Sequence, residues 1–390
     1  MDKASLFDLF YQLRTQKVKI QATVNLCMSK CVCRLLGPHL MRLSSRKVLS
    51  LAKRSLTSNK PYHAQWLLTR RCNYRCRGCN VWRQQDEKEL STEEIKIGLD
   101  ILHKLGVIEI VLSGGNPLLR EDIKEIIDYS SKYFITTVYD NGSMALEKID
   151  ALRNADFVAI SLDTLDEKKN DYIKGVPGAW KKAMNAIETL HKERFFVGVS
   201  PTISALNLSE IVDFTRYFTS RGVPVWYCLY WYDYPSESRL FEIGKKQDDF
   251  EITDGKAVAA VCDALMKMKK ERQGVFITDK TLTALKQFFL KGQRTWKCRA
   301  LQSFLMVDHQ GKVSGCHVRE PVTSIFELED AWNSQKFENF RKEFSKCDRC
   351  AYLCYIFYSL HANVLSNLEL LRDQWKNAGT LLSRMQKANR

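Results

Sequence analysis

The sequence contains little glycine and little proline, 18 and 8 residues among 390. This scarcity excludes a collagen-like or low-complexity chain, while 45% hydrophobic and 27% charged residues predict a folded protein. The chain also lacks an internal repeat, an apolar run of about 18 residues that would span a bilayer, and an amino-terminal signal peptide. We therefore expect a cytoplasmic protein of two or three folded units.

Positive charge is concentrated at one end of the chain. The net charge is +15, and residues 1–60 hold twelve Lys or Arg but only two Asp, so they contribute +10 and leave +5 for the other 330 residues. Apolar residues recur among these cations at helix-like spacing, which predicts a basic amphipathic helical arm. We expect this arm to contact an anionic membrane surface, placing the protein peripherally on the inner face of the membrane. The alternatives are packing against the rest of the chain, or binding of nucleic acid or a partner protein by the arm. Because the excess charge belongs to the arm alone, we expect no nucleic acid as a partner of the enzyme.

From Tyr62 onward, short β-rich runs alternate with longer helical runs, which predicts βα units around a parallel sheet. The predicted strands are 64–69, 107–112, 134–139, 157–162, 195–200 and 225–230. The predicted helices are one that follows Ser91, where Glu94 completes a capping box, and 122–132, 144–153, 179–192 and 208–220. Six parallel strands with outer helices predict an α/β fold, a partial (βα)6 TIM-like barrel, with ligands at the carboxyl ends of the strands.

Beyond residue 232 the pattern changes. A polar linker precedes a helix at 256–272, then a β-hairpin is predicted from 304–307 and 312–314, a helix near 329–344 and a long terminal helix from about 356 to 387. The predicted organisation is a basic arm at 1–60, a barrel core at 61–232, a linker with helices at 233–295 and a small α+β domain at 296–390.

Three cysteines stand directly after the first predicted strand, Cys72, Cys76 and Cys79, with three and then two residues between them. Thirteen cysteines are too few for a disulfide scaffold in so long a chain, and grouped thiols in a cytosolic protein more often hold metal. Four thiolates usually complete a [4Fe–4S] cluster, so three from one loop leave one iron open for an exogenous ligand. The alternative is a structural zinc knuckle with a distant fourth ligand.

This spacing is similar to the signature of the radical S-adenosylmethionine (radical SAM) superfamily, whose fold is a partial (βα)6 barrel. Further segments carry the resemblance, in the family's order, along residues 62–230. Ser113-Gly-Gly-Asn-Pro117 resembles its Gly-Gly-Glu-Pro, Asp140-Asn-Gly142 its Thr-Asn-Gly, Ile160-Ser-Leu-Asp163 its Ser-Leu-Asp, and Tyr172-Ile-Lys-Gly175 its Ile-Arg-Gly. The resemblance implies that SAM is bound by Gly114, Gly115, Asn116, Asn141, Ser161, Asp163 and Lys174.

Three positions depart from the family pattern. Asn116 stands where Glu is usual, which keeps an amide oxygen for the ammonium group of SAM without its charge pairing. Gly78 stands where an aromatic residue is common, so we expect adenine contact there from backbone alone. Lys174 replaces the fork of an Arg with a point charge for the SAM carboxylate.

A second set of cysteines follows near the carboxyl end: Cys298, Cys316, Cys347, Cys350 and Cys354. The predicted hairpin returns Cys316 toward Cys298, and the Cys347-x2-Cys350 turn then completes a four-thiolate site. This set, with Gly311-x4-Cys316, resembles the auxiliary-cluster extension called SPASM in its shortened twitch form, which holds one extra [4Fe–4S] cluster. The expected ligands are Cys298, Cys316, Cys347 and Cys350, with Cys354 as a fifth candidate in place of Cys347 or Cys350. A four-thiolate zinc site is the alternative.

The other five cysteines are not expected to bind metal. Cys27, Cys31 and Cys33 lie in the arm and are interpreted as thiols on a helix face, while Cys228 and Cys262 are interpreted as core residues.

The resemblance implies an enzyme that cleaves SAM at the cluster to a 5′-deoxyadenosyl radical, which abstracts hydrogen from a substrate C–H bond. An electron donor such as flavodoxin or ferredoxin is implied, and the auxiliary cluster favours oxidation or bond formation. The hypothesis of a lipid-like substrate rests on the basic arm alone, and a small molecule is the other substrate class considered. The alternatives are a peptide-modifying maturase and a non-catalytic iron–sulfur or zinc protein. The aromatic segment 226–232 is predicted to shape the substrate pocket, or else to pack within the sheet, and no acid or base is assigned.

Overall fold

A computed structural model describes residues 60–83, 88–231, 248–317, 319–348 and 350–362, together with 377, 379–381, 383 and 384. The predicted arm, including Cys27, Cys31 and Cys33, lies outside the described residues except for Lys60. Residues 232–247 of the predicted linker lie outside them too.

Five parallel strands lie side by side in chain order. They are β1 (His63–Thr69), β2 (Glu109–Gly114), β3 (Ile135–Asp140), β4 (Phe157–Ser161) and β5 (Val197–Ser200). A second parallel pair, β6 (Thr202–Ile203) and β7 (Cys228–Leu229), follows, and a bridge between Val199 and Val225 joins it to β5. The sixth predicted strand therefore forms, and the carboxyl ends of all these strands meet at one edge.

Helices connect the strands and cover the sheet. They are α1 (Thr92–Leu105), α2 (Ile123–Ser130), α3 (Glu167–Lys174), α4 (Ala179–Lys192) and α5 (Ile211–Ser220). The predicted capping box at the start of α1 is present: the Ser91 backbone N–H donates to the Glu94 carboxylate (2.8 Å), and the Glu94 N–H donates to the Ser91 hydroxyl (3.3 Å). These contacts satisfy helix N–H groups that otherwise lack partners. No helix within the described part of the chain is long and apolar enough to cross a membrane.

The carboxyl-terminal elements continue the barrel sheet. They are α6 (Gly255–Lys270), α7 (Asp279–Lys291), β8 (Phe304–Val307), β9 (Lys312–Ser314), β10 (Thr323–Ser324), α8 (Leu328–Ala331), α9 (Gln335–Lys346) and α10 (Leu353–Leu360). The predicted hairpin of β8 and β9 is confirmed, and β8 also pairs in parallel with β1, with Phe304 opposite His63. The eight strands of this sheet thus run in the order β10-β9-β8-β1-β2-β3-β4-β5.

Helix α10 contacts both sides of the barrel. The Tyr358 ring stacks on His63 of β1 (3.7 Å between centroids), and its hydroxyl donates to Glu109 of β2 (3.2 Å). The Tyr352 hydroxyl donates to the Trp231 carbonyl (3.2 Å), just beyond β7. Helix α10 therefore spans the side of the barrel between the first and sixth strands.

Several helix predictions were wrong. Residues 144–153 form turns that end in a 3₁₀ helix at Ala151–Asn154, because most of their backbone hydrogen bonds close after three residues. The long terminal helix is interrupted, since α10 ends at Leu360 and residues 361 and 362 are not helical. The predicted helix at 329–344 is divided into α8 and α9, because the Ser334 hydroxyl accepts from the Phe337 N–H and starts a new helix. Helices α3 and α7 were not predicted.

Phe304 joins the hairpin to α10, and its loss should destabilise the fold. Its side chain is 1% exposed and lies parallel to Tyr355, with 5.0 Å between ring centroids. We expect Phe304→Ala to lower the free energy of unfolding by ~3–5 kcal/mol, since a buried aromatic leaves a cavity. Urea unfolding followed by circular dichroism measures this, with Phe276→Ala as the control because Phe276 is 42% exposed. Equal losses in the two variants would contradict the packing described.

Candidate metal and cofactor site

The cysteine loop after β1 is held by the end of α3. The Arg75 N–H donates to the Lys174 carbonyl (3.3 Å), and the Arg77 N–H donates to the Ile173 carbonyl (3.0 Å). The Arg77 side chain adds a bond to the Tyr172 carbonyl (3.1 Å) and lies over the Tyr172 ring. The last carbonyls of a helix otherwise lack partners. The segment Tyr172–Gly175, which the sequence linked to SAM, therefore lies directly against the cysteine loop.

The glycine segment after β2 lies against the start of the same loop. A Cβ on Gly114 would lie 2.3 Å from the Thr69 carbonyl oxygen, and a Cβ on Gly115 2.3 Å from the Arg71 carbonyl oxygen. The Gly115 N–H donates to the Thr69 carbonyl (2.7 Å), so the two backbones are in direct contact. Gly114 also has φ of +137°, which side-chain-bearing residues rarely adopt. The two glycines thus make a backbone approach that other residues would block.

Asn116 is fully buried and bonded within the protein. Its amide oxygen accepts from the Leu118 N–H (3.0 Å), and its amide nitrogen donates to the Asp140 carboxylate (2.8 Å). Asp140 also accepts from the N–H groups of Gly142 (2.8 Å) and Ala145 (3.1 Å). Burial raises the pKa of Asp140, against these hydrogen bonds. Asn116 and Asp140 therefore tie the end of β2 to the turn after β3.

Three other predicted cofactor residues form one buried group. The Lys174 ammonium lies 2.8 Å from the Asp163 carboxylate and donates to the Ser161 hydroxyl (2.6 Å). Burial lowers the pKa of Lys174, but the charges of Asp163 and then Cys76 outweigh it, so the pKa lies above its usual value. Asp163 also accepts from the Thr202 N–H (2.8 Å). Contacts within the protein therefore hold these three side chains in place beside the cysteine loop.

Glu89 organises the approach to the cysteine loop. Its carboxylate accepts from the Thr69 hydroxyl, from Arg71 (3.0 Å) and from the buried Arg120 (3.2 Å). Arg120 reaches further to the carbonyls of Leu68 (3.1 Å) and Leu90 (3.0 Å). The end of β1 is thereby fixed where the loop begins.

Two groups beside the thiols of this loop favour thiolates, Lys174 near Cys76 and the Asn141 amide near Cys72. Burial raises the pKa of Cys76 to about 12, with Lys174 lowering it. The Asn141 amide nitrogen lies 3.9 Å from the Cys72 sulfur, as a donor to thiolate would. Among the described residues, no three His, Cys, Asp or Glu side chains are arranged to hold a single metal ion. A [4Fe–4S] cluster does not need such a group, because its thiolates bind different iron atoms.

Arg294 connects three cysteines of the second set. Its guanidinium donates to the Cys350 carbonyl (2.8 Å), to the Cys350 sulfur (3.1 Å) and to the Cys347 carbonyl. Burial raises the pKa of Cys298, and Arg294 lowers it both by its charge and by a hydrogen bond. Burial raises the pKa of Cys350 to about 12, and Arg294 is the largest opposing cause. Cys298, Cys347 and Cys350 therefore surround one cation.

Cys316 and Cys354 lie on the other side of this set, near Tyr355. After burial, the pKa of Tyr355 is raised by Cys354, then Cys316, then Cys350. Cys354 is directed toward the barrel, because Cys228 of β7 is the strongest charged neighbour raising its pKa, ahead of Cys350. The Cys354 side chain is exposed.

The two cysteines interpreted as core residues differ. Cys262 is buried in α6 as expected, with 1% exposure. Cys228 is only partly buried, and its sulfur lies 3.6 Å from the Ser200 hydroxyl. Because Cys354 lies nearby on α10, Cys228 faces the barrel interior.

The aromatic segment after β5 divides between packing and the site. The Tyr227 hydroxyl bonds to Thr215 of α5 (2.9 Å), so Tyr227 packs against the helical layer. Tyr230 instead lies beside Gly78, where a Cβ would be 2.8 Å from its ring, and stacks on Phe250 at 5.1 Å between centroids. An aromatic ring from the sixth predicted strand therefore lies beside Gly78, and adenine contact by the Gly78 backbone stays a prediction.

Sequence reasoning missed Arg294 and Asp140 as parts of these sites, and it placed Tyr230 in the predicted pocket segment without the contact to Gly78. Asp140 stood within a recognised segment and directly ends a strand, so its position was a usable signal. Arg294 precedes Cys298 by four residues, and a cation so close to a ligand cysteine is a weaker signal. The contact of Tyr230 with Gly78 has no signal in the sequence, because it depends on tertiary packing.

The barrel and the second cysteine set each match a known family. Residues 66–218 match the Radical SAM superfamily, and residues 298–355 match the iron-sulfur cluster-binding domain SPASM. The chain is therefore a radical SAM enzyme. More particularly, it is a radical SAM enzyme with a C-terminal SPASM extension. These families bind a [4Fe–4S] cluster, SAM and auxiliary clusters, and radical SAM enzymes need an electron donor.

Relatives span the chain to different extents. The AdoMet-dependent heme synthase of Methanosarcina barkeri is 32% identical over 160 residues, which is 40% of this chain and less than half, 46%, of that enzyme. The AdoMet-dependent heme synthase of Nitratidesulfovibrio vulgaris is 24% identical over 314 residues, 74% of this chain and 84% of that enzyme. The crystal structure of Streptococcus suis SuiB bound to precursor peptide SuiA has a TM-score of 0.57 at 16% identity, covering 83% of this chain and 76% of that one. This last likeness shows the fold alone.

An aromatic side chain introduced at residue 78 should compete with the Tyr230 ring for the same space. We expect Gly78→Phe to reduce the iron held by the first cysteine loop, because its side chain would displace the Tyr230 ring. Adding Tyr230→Ala should restore that iron, since the Phe ring would fill the vacated space. The measurement is the EPR signal of the reduced, SAM-responsive cluster after anaerobic reconstitution, with Tyr217→Ala on α5 as the control. Full iron in Gly78→Phe alone would refute this packing.

Proposed function

We propose that Cys72, Cys76 and Cys79 bind the SAM-cleaving [4Fe–4S] cluster of this enzyme. The observation that carries the proposal is the contact of this loop with both the glycine segment and the end of α3. When bound, the cluster and SAM supply a 5′-deoxyadenosyl radical that abstracts hydrogen from a substrate C–H bond. We propose that the SAM-contacting residues are Gly114, Gly115, Asn116, Asn141, Ser161, Asp163 and Lys174.

The chain's own part is to order these groups before SAM binds. Lys174, Asp163 and Ser161 are already hydrogen-bonded to one another. Binding then costs little reorganisation, because the polar groups are held by the fold. For Asn116, we propose contact through the amide oxygen, which also accepts from the Leu118 N–H.

We propose that Cys298, Cys316, Cys347 and Cys350 hold one auxiliary [4Fe–4S] cluster, as in the twitch form of the extension. Three of them surround Arg294, and Cys316 lies near Tyr355 with Cys350. Four thiolates saturate such a cluster. This cluster supports oxidation or bond formation on the substrate.

We propose that the substrate binds in the barrel interior facing α10. The groups directed there are the thiols of Cys228 and Cys354, and Tyr139, whose pKa is raised by burial and then by the charges of both cysteines. A small organic molecule is favoured, because the heme synthase of N. vulgaris aligns with 74% of the chain. A peptide is the second candidate, because SuiB shares the fold and was solved with its precursor peptide.

Removal of one loop cysteine should abolish SAM cleavage. We expect the reconstituted protein, reduced with dithionite, to form 5′-deoxyadenosine from SAM. Cys76→Ala should form at least about 100-fold less, because losing a ligand should cost more than the ~10–100-fold lost with a hydrogen-bond partner of a ligand. Liquid chromatography measures the product. Cys262→Ala is the matched control, because this buried thiol lies in α6 away from the loop. Product formation that survives Cys76→Ala would contradict the proposed cluster.

We propose that an acidic electron-transfer protein, such as flavodoxin or ferredoxin, docks on the arginines of the cysteine loop. Arg71, Arg75, Arg77 and Arg83 are exposed there. A cationic surface around a redox centre raises the association rate of an anionic partner.

Arg83 is a suitable residue for testing this docking surface, because it is exposed. Its guanidinium stacks on Trp82, with 4.8 Å between the guanidinium carbon and the ring centroid. We expect Arg83→Gln to slow 5′-deoxyadenosine formation severalfold with reduced flavodoxin, and to leave the rate with dithionite unchanged. Arg153→Gln, at the amino-terminal side of β4, is the control and should affect neither rate. Equal rates for Arg83→Gln and the parent with flavodoxin would contradict the proposed docking surface.

We propose a cytoplasmic enzyme whose basic residues 1–60 attach it to an anionic membrane surface. The support is the +10 charge and apolar periodicity of this segment. Flotation with liposomes should retain the full chain on anionic vesicles and release it on neutral ones, while a chain beginning at Ser58 should float with neither. Equal flotation of the two chains would remove the arm from membrane attachment.

A further inference from the structure

We propose that Arg294 sets the reduction potential of the auxiliary cluster, raising it so that the cluster accepts an electron readily. The inference rests on the proposed function for the identity of the cluster. It goes further by assigning a positioning and tuning role to a residue outside the cysteine set.

Arg294 is built into the site by several contacts. Its Nε and Nη2 both donate to the Cys350 carbonyl (3.0 and 2.8 Å), and its Nη1 donates to the Cys347 carbonyl. The guanidinium also lies over the Trp296 ring, 4.9 Å from its centroid. One planar cation therefore bonds to both Cys347 and Cys350, which a point charge on a Lys cannot do with the same fork.

The bond that bears on the redox chemistry is the one to sulfur. Arg294 Nη2 lies 3.1 Å from the Cys350 sulfur. Reduction adds one negative charge to a cluster that four thiolates already make anionic. A cation and an N–H···S bond stabilise the reduced state more than the oxidised one, and cluster potentials respond to net charge and to hydrogen bonds on sulfur. Burial of Cys298 and Cys350 keeps water from screening this charge.

The step this favours is a one-electron transfer. In the proposed function, the substrate first loses a hydrogen atom to the 5′-deoxyadenosyl radical, giving 5′-deoxyadenosine. The substrate radical then loses one electron to the auxiliary cluster and one proton to solvent. The substrate would thus be oxidised by two electrons. One electron from the reduced electron-transfer protein, together with the abstracted hydrogen atom, would convert SAM to methionine and 5′-deoxyadenosine, and the auxiliary cluster would pass its electron to the oxidised electron-transfer protein.

A redox titration tests the proposal without any substrate. The full chain is reconstituted anaerobically and titrated with dithionite in the presence of mediators, with the EPR signal of the SAM-insensitive cluster followed against potential. At the parent's midpoint potential, we expect Arg294→Met to shift the ratio of reduced to oxidised auxiliary cluster about tenfold toward the oxidised form. This tenfold change corresponds to a shift of about 59 mV for one electron. Arg294→Lys, which keeps the charge but not the fork, should give an intermediate shift. The SAM-responsive cluster should not move in either variant.

The control is Arg221→Met, since Arg221 is an exposed arginine at the end of α5 that stacks on Tyr217. An unchanged midpoint in Arg294→Met with full iron content would overturn the proposal. If Arg294→Met loses the auxiliary iron, the midpoint potentials of Arg294→Lys and Arg294→Gln are measured instead. Midpoints equal to the parent's in both variants would overturn the proposal. Failure of the proposed function has a different signature, because it would appear as absent SAM cleavage or as no auxiliary iron–sulfur signal in the unmodified chain.

Discussion

The cysteine loop has no helix or strand through its three cysteines, so its shape depends on the backbone hydrogen bonds that it makes with the end of α3. Arg75 and Arg77 donate to the Lys174 and Ile173 carbonyls. These bonds satisfy the unpaired carbonyls of the helix and fix the loop at the same time. They also bring Lys174 beside Cys76, so the placement of the cation follows from the placement of the thiol. The glycine segment after β2 then fits against a surface that is already formed.

Buried charge is a second theme of the molecule, and each buried charge that we describe has partners. Lys174 is paired with Asp163, Arg120 with Glu89 and Asp122, and Asp140 accepts several N–H groups. Burial of an ion without such partners costs roughly several kcal/mol, so the group would favour its neutral form. These networks converge at the carboxyl ends of the strands. They stiffen the region where an open parallel sheet would otherwise hold irregular loops.

Local signals in the sequence predicted much of this structure. The β8–β9 hairpin and helix α4 form at the residues expected, and the box at Ser91 and Glu94 caps α1. Helix α3 was missed because Glu167–Lys174 has few apolar residues to give a helical period. Within the sites, cysteine spacing and the motif order predicted which residues gather at one edge. The ring of Tyr230 beside Gly78 and the fork of Arg294 on Cys350 were out of reach, because both depend on how distant segments pack.

The pairing of β8 with β1 has a consequence for how the protein folds. Strands β1 and β8 are about 240 residues apart in sequence, and contacts between such distant segments form slowly, since long loops must close first. The strand that leads into the first cysteine loop therefore gains its second neighbour only when the carboxyl-terminal third of the chain has been synthesised. During translation, the edge of β1 stays unpaired on that side while β2 is already in place. Completion of the sheet beside the strand that leads into the cysteine loop is thus a late event in folding.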